Sequence, residues 1–194
     1  MLDTHARKYV NPFIEFGANF FIKLKISANN VTILALILGI LSSVLLYFDK
    51  NIFAVIILWI SGYLDAVDGS VARKTNPSSS FGTVLDITFD RIVEIGIILV
   101  IGMKFVDVRF NLIILLASIL ISMVIFLTVG AVSEKSGIKS FYYQAGVAER
   151  SEGFIMFSLM MLSKNNLNVI INLFSFIILI TAIQRISEAK KILK

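Results

Sequence analysis

The chain has 194 residues, 57% hydrophobic and 16% charged, with a formal net charge of +5 and no cysteine. Soluble domains carry roughly a quarter charged residues, so that class is excluded, and a mean hydropathy of +0.88 marks an integral membrane protein. The missing cysteines exclude disulfide and thiol chemistry. The basic excess is not a nucleic-acid footprint, because it gathers at the ends of hydrophobic segments.

In chain order, residues 3–25 set Phe13, Phe16, Phe20 and Phe21 among Arg7, Lys8, Lys23 and Lys25. That pattern predicts an amphipathic helix lying in the membrane interface. Residues 1–28 are therefore an interfacial element, and 29–194 a transmembrane domain. Asp3, His5, Arg7 and Lys8 precede any apolar run, unlike a cleavable signal peptide. His5, the one histidine, is expected to be solvated. Roughly 20 apolar residues cross a bilayer. Runs at about 29–48, 51–73, 81–105, 110–133, 146–163 and 166–187 predict an all-α protein with about six spans. The fifth opens on Glu149, Arg150 and Glu152 and is the weakest; five spans plus a re-entrant piece is the alternative. Asn30 stands at the start of the first span, as a helix cap or a ligand contact.

Lysine and arginine set orientation. With both termini in the cytosol, 14 of them fall on the cytosolic side and four outside, the four being Lys50, Lys104, Arg109 and Lys164. The expected location is the cell membrane, with the acidic segment described next on the cytosolic half.

That segment runs Asp65-x-x-Asp68-Gly69-x-x-Ala72-Arg73, eight residues, then Gly82-x-x-x-Asp86-x-x-x-Asp90. A carboxylate at membrane depth is costly and usually marks function. Side chains at i, i+3 or i, i+4 share a helix face. Asp65 and Asp68 thus point one way from one helix, and Asp86 and Asp90 one way from the next. The turn between contains Pro77 and serines, so the acidic faces oppose each other. The bland alternative, buried ion pairs, has only Arg73, Lys74 and Arg91 nearby in sequence. Clustered hard oxygen ligands suit Mg²⁺ or Mn²⁺, whose shell is completed by water and substrate phosphate. Asp65, Asp68 and Asp86 are the predicted ligands. Asp90 is the candidate base, though spacing alone does not separate base from ligand. Gly69 and Gly82 either admit a ligand or pack helices.

Filled at every fixed position, this segment resembles the signature of the CDP-alcohol phosphatidyltransferases. The resemblance implies an enzyme of phospholipid synthesis that displaces CMP from a CDP-linked lipid donor, usually CDP-diacylglycerol, with the hydroxyl of a small polar acceptor. It implies two divalent ions, with Asp90 as base and also a metal contact. It implies a cytidine and diphosphate site at Asp65, Asp68, Gly69, Ala72, Arg73 and Gly82, with Asn30 and Thr32 similar to a polar pair that helps bind the nucleotide. Arg91, Lys139 and Arg150 are candidates to hold an acceptor phosphate, with plain charge balance as the competing role. Glu94 extends the Asp86–Asp90 stripe, either to pair with a base from another helix or to line the cavity. Many relatives are dimers, which makes a homodimer one expected state. Competing functions are a Mg²⁺-dependent membrane prenyltransferase, a cation transporter and a non-catalytic membrane partner protein. None of these needs the full DG-x-x-AR plus G-x-x-x-D-x-x-x-D combination. The acceptor alcohol and the lipid tails are not readable from the residues.

Overall fold

Backbone amides in hydrocarbon find no water, so a span must satisfy them within itself as a helix or within a closed barrel. A computed structural model describes residues 2–75, 80–133, 146–147 and 149–193, with side chains from residue 10 on. Among them are seven α-helices and no strand, as the apolar runs predict. The chain divides into two compact units, Ala6–Lys104 and a second made of Met1–His5 with Phe105–Lys194.

In the first unit, α1 spans Leu2–Lys23, α2 Ala28–Tyr47, α3 Asn51–Thr75 and α4 Ser80–Lys104. Helix α1 ends where Lys25 turns left-handed at φ 57. There Ile26 N–H reaches back to the Phe21 carbonyl at 3.0 Å and Lys25 N–H to Ile22 at 2.9 Å, a Schellman closure. Asp49, at φ 59, closes α2 the same way through Lys50 N–H to the Leu45 carbonyl at 2.9 Å. These tight exits keep α1, α2 and α3 neighbours. The residue that caps α2 is Ser27, extended at φ −72 and ψ 155, whose side chain accepts the Asn30 N–H. Asn30 is therefore in the first turn of α2 and is not the cap, which removes the capping role expected for it.

Small and hydroxyl residues let α2 approach both α3 and α4. Ser42 Oγ donates to the Ala54 carbonyl at 2.8 Å, and Ser61 Oγ to the Ala35 carbonyl at 2.7 Å. Gly39 faces Val93, where an added Cβ would sit 2.9 Å from Cγ1, and Gly96 faces Ser43, with 2.8 Å to Oγ. At the far end, Lys104 Nζ donates to the Leu46 carbonyl at 2.9 Å, to Tyr47 at 3.1 Å and to Asp49 Oδ1 at 2.6 Å. One ammonium thus closes the C-terminus of α2, where cations are favoured.

In the second unit, α5 spans Arg109–Val132, α6 Arg150–Leu162 and α7 Leu167–Ile192. Its core is made of large apolar side chains, among them Leu115, Ile171, Phe174 and Phe157. The Phe157 and Phe174 rings meet edge to face at 5.2 Å. Arg185 donates to Ser122 Oγ at 3.0 Å and lies 4.9 Å over the Phe126 ring.

Among the described residues, four helices are long and apolar enough to cross a membrane: α2, α3, the stretch Val106–Val132, and α7. Helix α4 has the length but carries Asp86, Asp90, Arg91, Glu94 and Lys104. Helix α6 has 13 residues, about 20 Å at 1.5 Å each, and is shorter than the ~30 Å hydrocarbon core. The expected span 146–163 is thus helical over only part of its length, because Glu149 and Arg150 mark where the helix begins; residues 134–145 and 148 lie outside those described. Exposed Ile37, Phe53, Phe110 and Phe176 form faces that only lipid suits.

Candidate metal centre

Three of the four motif aspartates come together. One carboxylate oxygen from each of Asp65, Asp68 and Asp86 lies within 4.8 Å of the other two. Asp65 is 8% exposed and Asp68 6%; Asp86 is partly buried. Two helices build the site: α3 contributes the i, i+3 pair, and α4 brings Asp86 across. Helix α2 packs against both and so sets their spacing.

Three carboxylates this close repel one another, and a cation relieves that repulsion. The donor set fits a hard divalent ion. Oxygens about 2.1 Å from Mg²⁺ stand at most about 4.2 Å apart across the shell, so small rotamer changes bring these three onto one ion. Asp90, partly buried, is not one of the three that meet and lies one turn further along α4.

Gly69 answers the choice between ligand room and helix packing. An added Cβ would find only Arg73 Nη1, at 3.3 Å, among the described residues. Among the described residues no neighbouring helix fills the space, which favours ligand room over packing. Arg73 folds back over it one turn later, and this guanidinium, a forked phosphate donor, stands on the helix that carries Asp65 and Asp68. Ala72 and Gly82 are partly buried.

Val31 shares a buried cluster with Val67 and Val71, so the start of α2 lies level with the part of α3 that bears Asp68. Asn30 is exposed there. Thr32 is 5% exposed, and its hydroxyl donates to the Ala28 carbonyl of its own helix at 3.0 Å. Of the residues expected to hold an acceptor phosphate, Arg91 pairs with Glu94 at 2.6 Å. Glu94 thus meets a base of its own helix. Arg150 lies 5.7 Å over the Phe154 ring in the second unit. Lys139, with Pro77 and the turn 76–79, lies outside the described residues.

Sequence reasoning missed what stands behind the site. Glu15 of α1 accepts the Ser70 hydroxyl at 2.8 Å and pairs with Lys74. Lys74 also donates to Asn19 Oδ1 at 2.8 Å, and Tyr63 OH to the Phe13 carbonyl at 2.8 Å. The Lys74 ammonium, and after it the Ser70 hydroxyl, holds the Glu15 carboxyl below its usual range. No spacing signal announces this cluster, because the residues it pairs are at least 50 positions apart in sequence.

The family model described as CDP-alcohol phosphatidyltransferase matches residues 25–184. The chain is 34% identical over 194 residues to the archaetidylinositol phosphate synthase of Pyrococcus horikoshii, covering 98% of this chain and 97% of that one. Its fold is similar to crystal structures of the Mycobacterium tuberculosis phosphatidylinositol phosphate synthase. With manganese and citrate, that enzyme aligns at a TM-score of 0.71 and 21% identity over 89% of this chain and 87% of its own. With CDP-DAG bound, it aligns at 0.70 and 22% over 89% and 90%. At such identity the likeness establishes the fold alone.

Proposed function

The chain belongs to the CDP-alcohol phosphatidyltransferase family, and on that premise we propose that it moves the phosphatidyl group of a CDP-linked diradyl lipid to the hydroxyl of a phosphorylated polyol. It is an integral-membrane enzyme, a CDP-alcohol phosphatidyltransferase. The observation that carries the mechanism is the meeting of three carboxylates from two helices within 4.8 Å.

In this reading Asp65, Asp68 and Asp86 hold the divalent metal, with Asp90 as a further contact if two ions bind. A Mg²⁺ or Mn²⁺ held there would neutralise the donor diphosphate and stabilise CMP as the leaving group. Arg73 and the space over Gly69 receive the diphosphate, and Ala72, Gly82, Asn30 and Thr32 border the nucleotide. Asp90 takes the proton from the acceptor hydroxyl. That oxygen attacks the phosphorus bearing the lipid, the bond from this phosphorus to the CMP oxygen breaks, and CMP leaves. Arg91, Lys139 and Arg150 are the cations proposed for the acceptor phosphate.

Two likenesses support the choice of substrates. The mycobacterial enzyme of similar fold is known with CDP-DAG bound, and the Pyrococcus relative is named for an inositol phosphate product. We place both termini and the site in the cytosol on the charge bias, with residues 1–28 in the interface, 29–194 as the catalytic domain and a homodimer as the assembled state. Reporter fusions at the C-terminus and light scattering in detergent test those points.

The chemistry is tested by CMP release from CDP-diacylglycerol and from CDP-archaeol. Inositol 1-phosphate, inositol, glycerol 3-phosphate and serine are offered in turn with Mg²⁺. Inositol 1-phosphate is expected to give the fastest release. Faster release with unphosphorylated inositol or serine refutes the phosphorylated acceptor, and no release with any acceptor refutes the donor.

A further inference from the structure

Helix α3 has two working faces. Asp65, Asp68 and Ala72 form one stripe. Tyr63, Val67, Ser70 and Lys74, at i, i+4, i+7 and i+11, form another, about 160° round the axis at 3.6 residues per turn. The second stripe is the seat of α1. Gly17 is the crossing point, since a Cβ there would press on the Tyr63 ring and stand 3.0 Å from Val67 Cγ2. Ala18 is buried against Val67 and Val71 in the same cluster. Apolar contact of this kind is non-directional, so by itself it does not set the roll of α3 against α1. The directional contacts in the seam are the Tyr63 hydroxyl on the Phe13 carbonyl, Ser70 and Lys74 on Glu15, and Lys74 on Asn19. Among the described residues, Glu15 is the one that joins two of these α3 side chains, one turn apart, through both of its oxygens.

We propose that Glu15 is a positioning residue for the carboxylate centre: from α1 it grips Ser70 and Lys74 on the back of α3 and sets the roll at which Asp65 and Asp68 face Asp86. The scale makes this consequential. A roll of about 10° moves an atom 5–6 Å from the axis by about 1 Å, whereas metal–ligand distances tolerate about 0.2 Å. The inference rests on the proposed metal role of the aspartates.

The test uses the full chain in lipid nanodiscs and Mn²⁺ alone as the probe, with free Mn²⁺ followed by its paramagnetic signal. Glu15→Ala is expected to weaken Mn²⁺ binding on the order of tenfold, the lower end of what partners that orient metal ligands command. Glu15→Gln, which still accepts from Ser70 but has no charge for Lys74, should fall between. Lys74→Met should weaken binding alone and add little on top of Glu15→Ala, because the two act through one contact. Wild-type affinity in a folded Glu15→Ala protein, or fully additive losses with Lys74→Met, overturns the proposal. If Glu15→Ala does not fold, Glu15→Gln is read by the same rule: weaker binding supports the proposal and unchanged binding overturns it. The metal reading fails in a different way, by an absence of Mn²⁺ binding in wild type. A failed phosphatidyl-transfer reading leaves the Glu15 effect on Mn²⁺ intact while no acceptor releases CMP.

Discussion

The two units are both made of apolar helices, yet they hold together by different means. In Ala6–Lys104 the helices meet at Gly39, Gly96, Ser42 and Ser61, with hydroxyls reaching the neighbouring backbone. From Phe105 on, α5, α6 and α7 bury Leu115, Ile171, Phe157 and Phe174. Close approach through small residues brings polar side chains on different helices within reach of each other. That is what a site with Asp65 and Asp68 on α3 and Asp86 on α4 requires. The second unit also has polar contacts between α5 and α7, such as Arg185 on Ser122, but among the described residues it gathers no carboxylate cluster. A given loss of packing should therefore cost activity in the first unit and only stability in the second.

The largest expected effect is at the site. Asp68→Asn removes a ligand charge, so CMP release should fall to background and Mn²⁺ binding should fail with it; unchanged Mn²⁺ affinity would move the metal elsewhere. Asp90→Asn comes next. As the base, its loss should lower turnover roughly 10²–10⁴-fold while Mn²⁺ and CDP-lipid binding persist. Loss of both would make Asp90 chiefly a ligand, and near-normal rates would leave Glu94 as the next carboxylate on the stripe.

The packing contrast is sharpened by two smaller changes. Gly39→Ala drives a Cβ into Val93 and should cost about 1–3 kcal/mol, the range for overpacking, with slower CMP release because α4 is displaced. Val93→Ala in the same protein should restore part of both. Ile171→Val in the second unit should cost about 0.5–1.5 kcal/mol and leave Mn²⁺ affinity untouched. An equal effect of the two on Mn²⁺ affinity would dissolve the distinction between the units.

The smallest effect is one of pH. Because Lys74 lowers the folded carboxyl of Glu15, its contribution is present above the ordinary glutamate range. It is lost as pH falls through the lowered value. Thermal midpoints below pH about 4.5 should therefore drop less steeply in Glu15→Gln than in wild type, and parallel curves would show that the pair adds nothing to stability.

Most of the fold was legible because it is written in apolar runs. The expected 51–73 and 81–105 became Asn51–Thr75 and Ser80–Lys104. Helix α7 outran its expected end at 187 and reached Ile192, since Glu188, Ala189, Lys190 and Lys191 are good helix formers though polar. Hydropathy ends where lipid ends, not where the helix does. The cap of α2 was misread because Ser27, Asn29 and Asn30 can all cap. Lys25's left-handed turn leaves just one residue before Ser27, and backbone angles decide the matter. In the site, the aspartates were legible because carboxylates stand out in an apolar chain. The packing glycines Gly17, Gly39 and Gly96 were not, since what makes them necessary is a partner helix. The Glu15–Ser70–Lys74 contact was hidden for the same reason.

The central claim is that carboxylates of α3 and α4 make a single metal site. It is tested most directly by titrating Mn²⁺ into purified wild type and Asp86→Asn. Asp86 is the one member of the trio on α4, so its loss leaves both α3 carboxylates in place. The account predicts that wild type binds Mn²⁺ and that Asp86→Asn, still folded, binds it far more weakly. Equal binding by the two proteins would contradict it.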